Sequence, residues 1–234
     1  MSSVYKKKLI CFIFIIVLVG LFINVNGGNN SINVYGALNT NNFTIVIDAG
    51  HGGKDKGSIS LNSDVHESDL NLQFSKVLES YFNKMGYNVV QTRKTKASLN
   101  KNANKFIKLE DMNARKKVIE EATPDMVISI HMNEYKKDPT QSGAQVFYHP
   151  NSEESKKLSN YIQKSLNKKT NKQKLNLSAD FYLLRNTSIP SVVVECGFLS
   201  NPTEEKLLKT KKYQEELCYS IFAGAVEYFL NLSN

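Results

Sequence analysis

Three side chains that can bind a metal ion or move a proton follow short, largely apolar runs in this sequence. His51 lies in the segment IDAGHGG, directly after the run 43–47, and His131 follows the run 126–130. Glu195 follows three consecutive valines. Imidazole is a common zinc ligand, and a carboxylate after a buried run is costly unless it is paired, bound to a metal or functional. These residues predict a metal site with a reactive carboxylate beside it.

The elements that must position these side chains are the strands of a sheet. Each apolar, β-branched run is typical of a buried strand, and helical periodicity between the runs predicts alternating strands and helices. Open α/β sheets keep their active sites at the carboxyl ends of their strands, so we expect His51, His131 and Glu195 to gather at one edge. The sequence predicts one α/β domain, with a twisted mixed or mainly parallel sheet and helices on both faces.

Helices are predicted where apolar residues recur at helical spacing between recognisable end signals. They cover about residues 67–85, 109–121, 152–166 and 212–230. Glu67 lies in the first turn of the first helix, where a carboxylate can be a dipole partner or a ligand, and His66 beside it is a weaker competing ligand. Further strands are predicted at 87–91 and 144–148, with a short one at 181–184.

A basic and then apolar segment precedes the predicted domain. Three lysines at positions 6–8 are followed by the apolar run 9–23, which is shorter than the ~20 residues that span a bilayer comfortably. We therefore predict a signal peptide or membrane anchor over residues 1–27, a flexible tether over 28–42 and a catalytic domain over 43–234. The basic residues keep their own end cytoplasmic, so the domain is predicted to be exported, and membrane-bound if the segment is not cleaved.

The net charge and the cysteine count limit the classes of protein and of binding partner that fit this chain. The formal net charge is +8, from 30 basic and 22 acidic residues, which suits an anionic polymer or surface nearby. The lysines are scattered along helical stretches, so the charge does not indicate nucleic acid. Cys11, Cys196 and Cys218 are too few for a disulfide framework, and whether the last two pair stays open. Cys196 is interpreted as a small packed residue rather than a nucleophile.

The residue types His51, Glu67 and His131 match a catalytic rather than a structural zinc site, because three protein ligands leave a fourth position to water. Zinc lowers the pKa of such a water toward ~7. Glu195 is then the candidate general base, which accepts the proton and passes it to the leaving nitrogen. The histidine spacing is not HExxH, so the helical zincin motif is excluded.

Four ordered motifs resemble the zinc-dependent N-acetylmuramoyl-L-alanine amidases of bacterial cell walls. They are IDAGHGGKDKG, ESDLNL, VISIHMN and FYLLRNTSIPSVVVECGFLSNPTEEKLL, and the resemblance covers about residues 43–230. It implies hydrolysis of the amide between N-acetylmuramic acid and L-alanine in peptidoglycan. It also implies one Zn²⁺ ion, with His51, Glu67 and His131 as ligands and Glu195 as the catalytic residue.

Other positions are less well defined by the resemblance. Arg115 and Asn133 are candidate substrate-binding residues, although Arg115 lies in a lysine-rich helix and could simply be solvated. Two departures from the family pattern occur. Ile119-Glu120 stand where Ala-Asn is common, and Gln145 stands where a glutamate is common. Neither departure touches the metal set.

A lone catalytic domain behind an amino-terminal apolar segment is most similar to the amidases that spore formers use on cortex peptidoglycan. There, removal of the stem peptide precedes muramic lactam formation, which implies a role in sporulation and germination. Some members of the family await an activating partner, so an accessory protein is a candidate partner. Two alternatives stay open: a zinc carboxypeptidase-like peptidase, and a non-catalytic wall-binding protein, which the presence of all four site residues disfavours.

Overall fold

The computed structural model describes residues 43–60, 63–100 and 107–232. These residues form a six-stranded mixed sheet with helices on both faces, which confirms the predicted α/β class. The strands are β1 (Thr44–Ala49), β2 (Asn88–Gln91), β3 (Met126–Asn133), β4 (Gln145–Tyr148), β5 (Leu177–Ser178) and β6 (Ser191–Phe198). The helices are α1 (Glu67–Lys84), α2 (Lys108–Ala122), α3 (Glu153–Thr170), α4 (Tyr182–Arg185), α5 (Pro202–Leu208) and α6 (Lys211–Leu232).

Strand direction decides which residues meet at each edge of the sheet. The order is β2-β1-β3-β6-β4-β5, and the first four of these strands are mutually parallel. Strand β4 runs antiparallel to β6, and β5 runs parallel to β4. The carboxyl ends of β1, β3 and β6 therefore share one edge with the beginning of β4. We call this edge the carboxyl edge.

The two faces of the sheet are covered unequally. The larger core lies between one face and the helices α1, α3, α5 and α6, and it includes Phe74, Leu158 and Ile221, each with no exposed surface. On the other face α2 and α4 cover a smaller cluster around Val46 and Ile119. Each fully buried large apolar side chain contributes about 1.5–3 kcal/mol, so the larger core provides most of the stability that holds the strands in place.

Local signals in the sequence explain where several helices begin and end. Helix α1 stops before Gly86, whose φ of 83° is the left-handed conformation expected after a helix. At the start of α3 the Ser152 side chain accepts a hydrogen bond from the Ser155 backbone N–H. Asn201 caps α5 in the same way, and Pro202 occupies the first helical position.

Part of the chain differs from the sequence-based expectation. The short strand predicted at 181–184 is wrong: Tyr182–Arg185 is the one-turn helix α4, and the strand is Leu177–Ser178. Helix α3 also extends to Thr170, beyond the predicted end at 166. The predicted leader 1–27 and tether 28–42 lie outside the described residues. Within the described ranges, no helix is both long and apolar enough to cross a membrane.

Candidate metal centre

His51 lies on a tight turn directly beyond β1. Its φ is 60°, and Gly52 and Gly53 that follow it also have positive φ values. A non-glycine residue in the left-handed region is uncommon and is often associated with function. The turn brings the His51 Nε2 atom to 3.2 Å from Glu67 Oε1, while Nδ1 lies 2.9 Å from Asp55 Oδ2. The glycine-rich segment thus places the imidazole between two carboxylates.

Glu67 is the first residue of α1 and is 3 % exposed. Its Oε1 atom lies 2.9 Å from His131 Nδ1 and accepts a hydrogen bond from the Met132 backbone N–H at 3.2 Å. Its Oε2 atom accepts a hydrogen bond from the Ser58 backbone N–H at 2.7 Å. Burial raises the pKa of Glu67, but the adjacent histidines outweigh burial and hold that pKa far below its usual range. The carboxylate is therefore an anion fixed between two imidazoles.

His131 completes a compact group of ligand atoms at the carboxyl edge. Its ring centroid lies 5.0 Å from that of His51, and one ligand atom from each of His51, Glu67 and His131 lies within 4.8 Å of the others. Because zinc bonds to nitrogen and oxygen are about 2 Å long, this spacing is compatible with one shared ion. The structure thus gathers the three residues that the sequence predicts as ligands.

The chemistry of this donor set fits zinc. Two imidazoles and one carboxylate are a ligand combination of catalytic zinc sites. Burial lowers the pKa of His51, but the hydrogen bonds and charges of Asp55 and Glu67 outweigh burial and raise the pKa to about 9. A histidine must lose its proton to bind a metal, so a bound cation would replace that proton and metal binding would strengthen as pH rises.

Glu195 lies beside this group on the neighbouring strand. Its Cα is paired with that of His131 across β3 and β6. Among the described residues its Oε2 atom is buried and has no hydrogen-bond partner. Burial, together with the charge of Glu67, raises the pKa of Glu195 to about 7, against the opposing effect of the two histidines. A carboxyl group with this pKa can accept and release a proton near neutral pH.

A buried ion pair supports the His51 turn from behind. Asp48 and Arg115 are each 1 % exposed, and Arg115 Nη1 donates to Asp48 Oδ1 at 2.6 Å. Arg115 also donates to the backbone carbonyls of Ala49 and His51. Burial raises the pKa of Asp48, but Arg115 and the hydroxyl donors Ser129 and Thr92 outweigh burial and lower it to about 2. The alternative that Arg115 is a solvated side chain is therefore wrong.

A second buried arginine binds the same stretch of backbone. Arg93, which is 3 % exposed, donates from Nε to the Ala49 carbonyl at 2.8 Å and from Nη2 to the Gly50 carbonyl at 2.9 Å. Its Nη2 also donates to the Ser68 carbonyl at 2.8 Å, in the first turn of α1. Arg93 thus ties the turn that carries His51 to the helix that carries Glu67.

Sequence reasoning missed the supporting roles of Asp48, Arg93 and Arg115. Asp48 carries the same signal that singles out Glu195, an acidic residue at the end of a buried run, and could have been found in this way. Arg93 lies just after the strand predicted at 87–91, and the carbonyls through which it supports the site, those of Ala49, Gly50 and Ser68, are distant from it in sequence.

The remaining candidate residues lie in different surroundings. The Arg115 donors are directed at the protein's own carboxylates and carbonyls, which leaves its side chain buried away from any substrate. Asn133 is the last residue of β3 and is partly exposed. Its role as a substrate contact stays a prediction. His66 pairs with Ile59 through the backbone and is not in the ligand group. Cys196 and Cys218 are both free thiols, and both are buried, so neither is accessible as a nucleophile. Burial also raises the pKa of Cys196 well above its usual value.

Gly50 is required by the position of the His131 ring. A Cβ atom at residue 50 would lie 2.2 Å from His131 Cε1 and 2.3 Å from Nε2, which no real structure tolerates without movement. We expect Gly50→Ala to displace the ring and to weaken zinc binding by about tenfold or more, the scale seen when ligand orientation is lost. A competition titration with a chromophoric zinc chelator measures this change.

Gly224→Ala is the matched control for this substitution. A Cβ atom there would lie 2.6 Å from Ile162 Cα, in the packing between α3 and α6 and away from the ligands. We expect this variant to lower the melting temperature while it leaves the zinc dissociation constant unchanged. An unchanged zinc affinity in Gly50→Ala would show that the His131 ring does not need the space.

Comparison with known proteins gives an independent result for most of the chain. A family model described as N-acetylmuramoyl-L-alanine amidase matches residues 45–227. The germination-specific N-acetylmuramoyl-L-alanine amidase of Bacillus subtilis is 35% identical over 192 residues, which are 79% of this chain and 79% of that protein.

Solved structures give the same result. The CwlD amidase from Clostridioides difficile, in complex with the GerS lipoprotein, superposes with a TM-score of 0.77 at 36% identity over 81% of this chain and 100% of that one. An N-acetylmuramoyl-L-alanine amidase from Clostridium difficile gives a TM-score of 0.73 at 30% identity, over 81% of this chain and 97% of that one. The chain therefore belongs to the N-acetylmuramoyl-L-alanine amidase family.

Proposed function

We propose that this protein hydrolyses the amide joining N-acetylmuramic acid to L-alanine in peptidoglycan, in a reaction that depends on one zinc ion. The observation that carries the proposal is the gathering of His51, Glu67 and His131 beside Glu195, whose buried Oε2 atom has no hydrogen-bond partner among the described residues. Membership of the amidase family supports the choice of bond.

Each residue has a separate task in this reaction. His51, Glu67 and His131 would hold the ion, which would supply a Lewis acid for the scissile carbonyl. Glu195 accepts a proton from the attacking water and delivers it to the departing nitrogen, which becomes the amino group of L-alanine. Arg93 and Arg115 keep the ligand-bearing turn in place through its backbone carbonyls.

We further propose that the substrate is spore cortex peptidoglycan, reached after export through the amino-terminal segment 1–27, which acts as a membrane anchor if it is not cleaved. The named role of the B. subtilis relative in germination supports this substrate. The CwlD amidase of C. difficile was solved in complex with the GerS lipoprotein, which supports a role for an accessory partner here as well.

Metal removal tests the proposed reaction. Purified protein incubated with peptidoglycan is expected to release intact stem peptides with a free L-alanine amino group. Treatment with a chelator should abolish release, and added zinc should restore it. Release of single amino acids would favour a carboxypeptidase-like enzyme, and binding without release would favour a wall-binding protein. Full activity in verified metal-free protein would contradict the zinc requirement.

A further inference from the structure

The end of helix α3 and the loop after it lie at the carboxyl edge, beside the candidate catalytic residue. Strand β4 begins at this edge because it runs antiparallel to β6, and its first residue, Gln145, is paired with Glu195. The Gln145 side-chain amide donates to the Leu175 carbonyl at 2.9 Å. This hydrogen bond attaches the loop 171–176 to Gln145, the residue paired with Glu195 across β4 and β6. We call this loop, together with the last two turns of α3, the basic loop region.

Two amide side chains, the buried Gln163 and the half-buried Asn167, hold the basic loop region in one conformation. Asn167 donates to the Lys174 carbonyl at 2.8 Å and accepts from the Lys174 backbone N–H at 3.2 Å. Gln163 in turn donates to Asn167 Oδ1 at 2.9 Å and to the Ala144 carbonyl at 3.1 Å. These bonds attach the loop both to α3 and to Ala144, the residue before β4. The backbone that carries the loop's side chains is therefore held in place.

The charge of this region is uniformly positive. A surface pocket of about 430 Å³ is lined by amide side chains, Leu175 and three lysines, with no carboxylate among its lining residues. Lys164 is paired with Glu227 at 3.5 Å. Lys168 and Lys174 have no acidic side chain within ion-pair distance in the part of the chain that the structure describes. Neither ammonium group is neutralised by an ion pair in the described ranges, although Lys174 is close enough to the buried Glu204 carboxylate to oppose the rise in its pKa that burial causes.

One of these lysines also points toward the end of β6. The Lys174 ammonium lies 5.3 Å from the centre of the Phe198 ring, and Phe198 is the last residue of the strand that carries Glu195. Such a contact orients a cation over an aromatic face at modest energy and leaves it free to bind an anion. The contact thus brings a positive charge close to the end of the strand that carries Glu195.

We propose that the basic loop region, through Lys168 and Lys174, is a subsite for a carboxylate of the peptide part of the substrate. The proposal rests on the proposed amidase function, because the stem peptide released by that reaction carries free carboxylates. Amide side chains around the two lysines can pair with peptide carbonyls and N–H groups. The subsite would select substrates with an unmodified, anionic peptide.

The test is the double substitution Lys168→Gln with Lys174→Gln in the full chain. We expect KM for a soluble N-acetylmuramoyl peptide with free carboxylates to rise by about five-fold, the scale of exposed ion pairs, while kcat stays unchanged. The matched control is Lys156→Gln with Lys157→Gln, at the opposite end of α3, which removes the same charge from two lysines that pair with Glu153 and Glu154. This control should keep the KM of the unmodified protein.

The same substrate with its carboxyl groups amidated distinguishes a specific contact from a general loss of charge. The unmodified protein and the double variant are expected to share one KM for the amidated compound. An equal rise for both compounds, or no rise for either, would overturn the proposal. A lower melting temperature with unchanged KM would show that the lysines serve only the carboxyl end of α3, where cations stabilise the helix dipole.

A direct measurement of binding tests the lysine subsite independently of whether the protein hydrolyses the substrate. Isothermal titration of the free-carboxylate peptide into the Glu195→Gln protein, with and without the two lysine substitutions, measures the subsite without turnover. If the unmodified protein cleaves neither compound, the proposed function fails, and the titration still decides the subsite. Equal affinity in both titrations would refute the lysine contact even if hydrolysis is confirmed.

Discussion

Replacing Glu67 with alanine is expected to remove both bound zinc and hydrolytic activity. Glu67 Oε1 lies 2.9 Å from one histidine and 3.2 Å from the other, so the substitution deletes one of three ligands and leaves two imidazoles without their shared anion. The loss of zinc affinity should exceed the roughly 10–100-fold that follows from removing a supporting hydrogen bond. Metal content of the purified variant, measured by mass spectrometry, checks this result.

Glu79→Ala is the control, because Glu79 lies on the same helix and bonds only to Gln91 among the contacts described for it. That variant should retain its zinc. If the Glu67→Ala protein still binds a full equivalent of zinc, Glu67 is not a ligand. The position of Glu67 at the start of α1 would then be explained by its interaction with the helix dipole.

Glu195→Gln is expected to keep its zinc while activity falls by about 100-fold or more, the usual cost of a lost general base. The amide has nearly the same volume and cannot accept the proton. It also avoids burying a charge, so we expect no loss of melting temperature. Single-turnover release of stem peptide and metal content, measured on one preparation, check both parts.

A zinc-free Glu195→Gln protein would contradict these roles, since it would make Glu195 a ligand. Activity near that of the unmodified protein would instead show that Glu195 is not the proton acceptor. The contrast between the Glu67 and Glu195 variants therefore separates metal binding from proton transfer.

The long strands and the positions of His51, His131 and Glu195 could be predicted from sequence because their signals are local, whereas the ligand role proposed for Glu67 depends on the resemblance to the amidase family. An apolar, β-branched run followed by glycine, histidine or glutamate is readable without knowing the partner strand, and β1, β3 and β6 all have this pattern. The edge segment 177–185 could not be read in this way. Its strand has two residues and its helix one turn, and short apolar runs do not distinguish the two.

Arg115 was misread for a different reason. It stands before two lysines, Lys116 and Lys117, which are partly exposed or exposed, and its pairing with Asp111 four residues earlier is a spacing that solvated helix surfaces also show. Its partner Asp48 lies 67 positions earlier in the chain. A buried ion pair between distant elements leaves no spacing in the sequence, so only the folded structure can assign it.

The attachment of the His51 turn to two buried arginines affects when the turn becomes ordered. A surface turn normally loses conformational entropy when it captures its ligand, at roughly 1–2 kcal/mol per residue. Here the carbonyls of residues 49–51 are bound by Arg93 and Arg115, so this entropy is lost during folding and not during metal capture. Because Arg115 lies on α2, we expect a substitution that loosens that helix to release part of the turn and so to weaken the binding of a metal ion there.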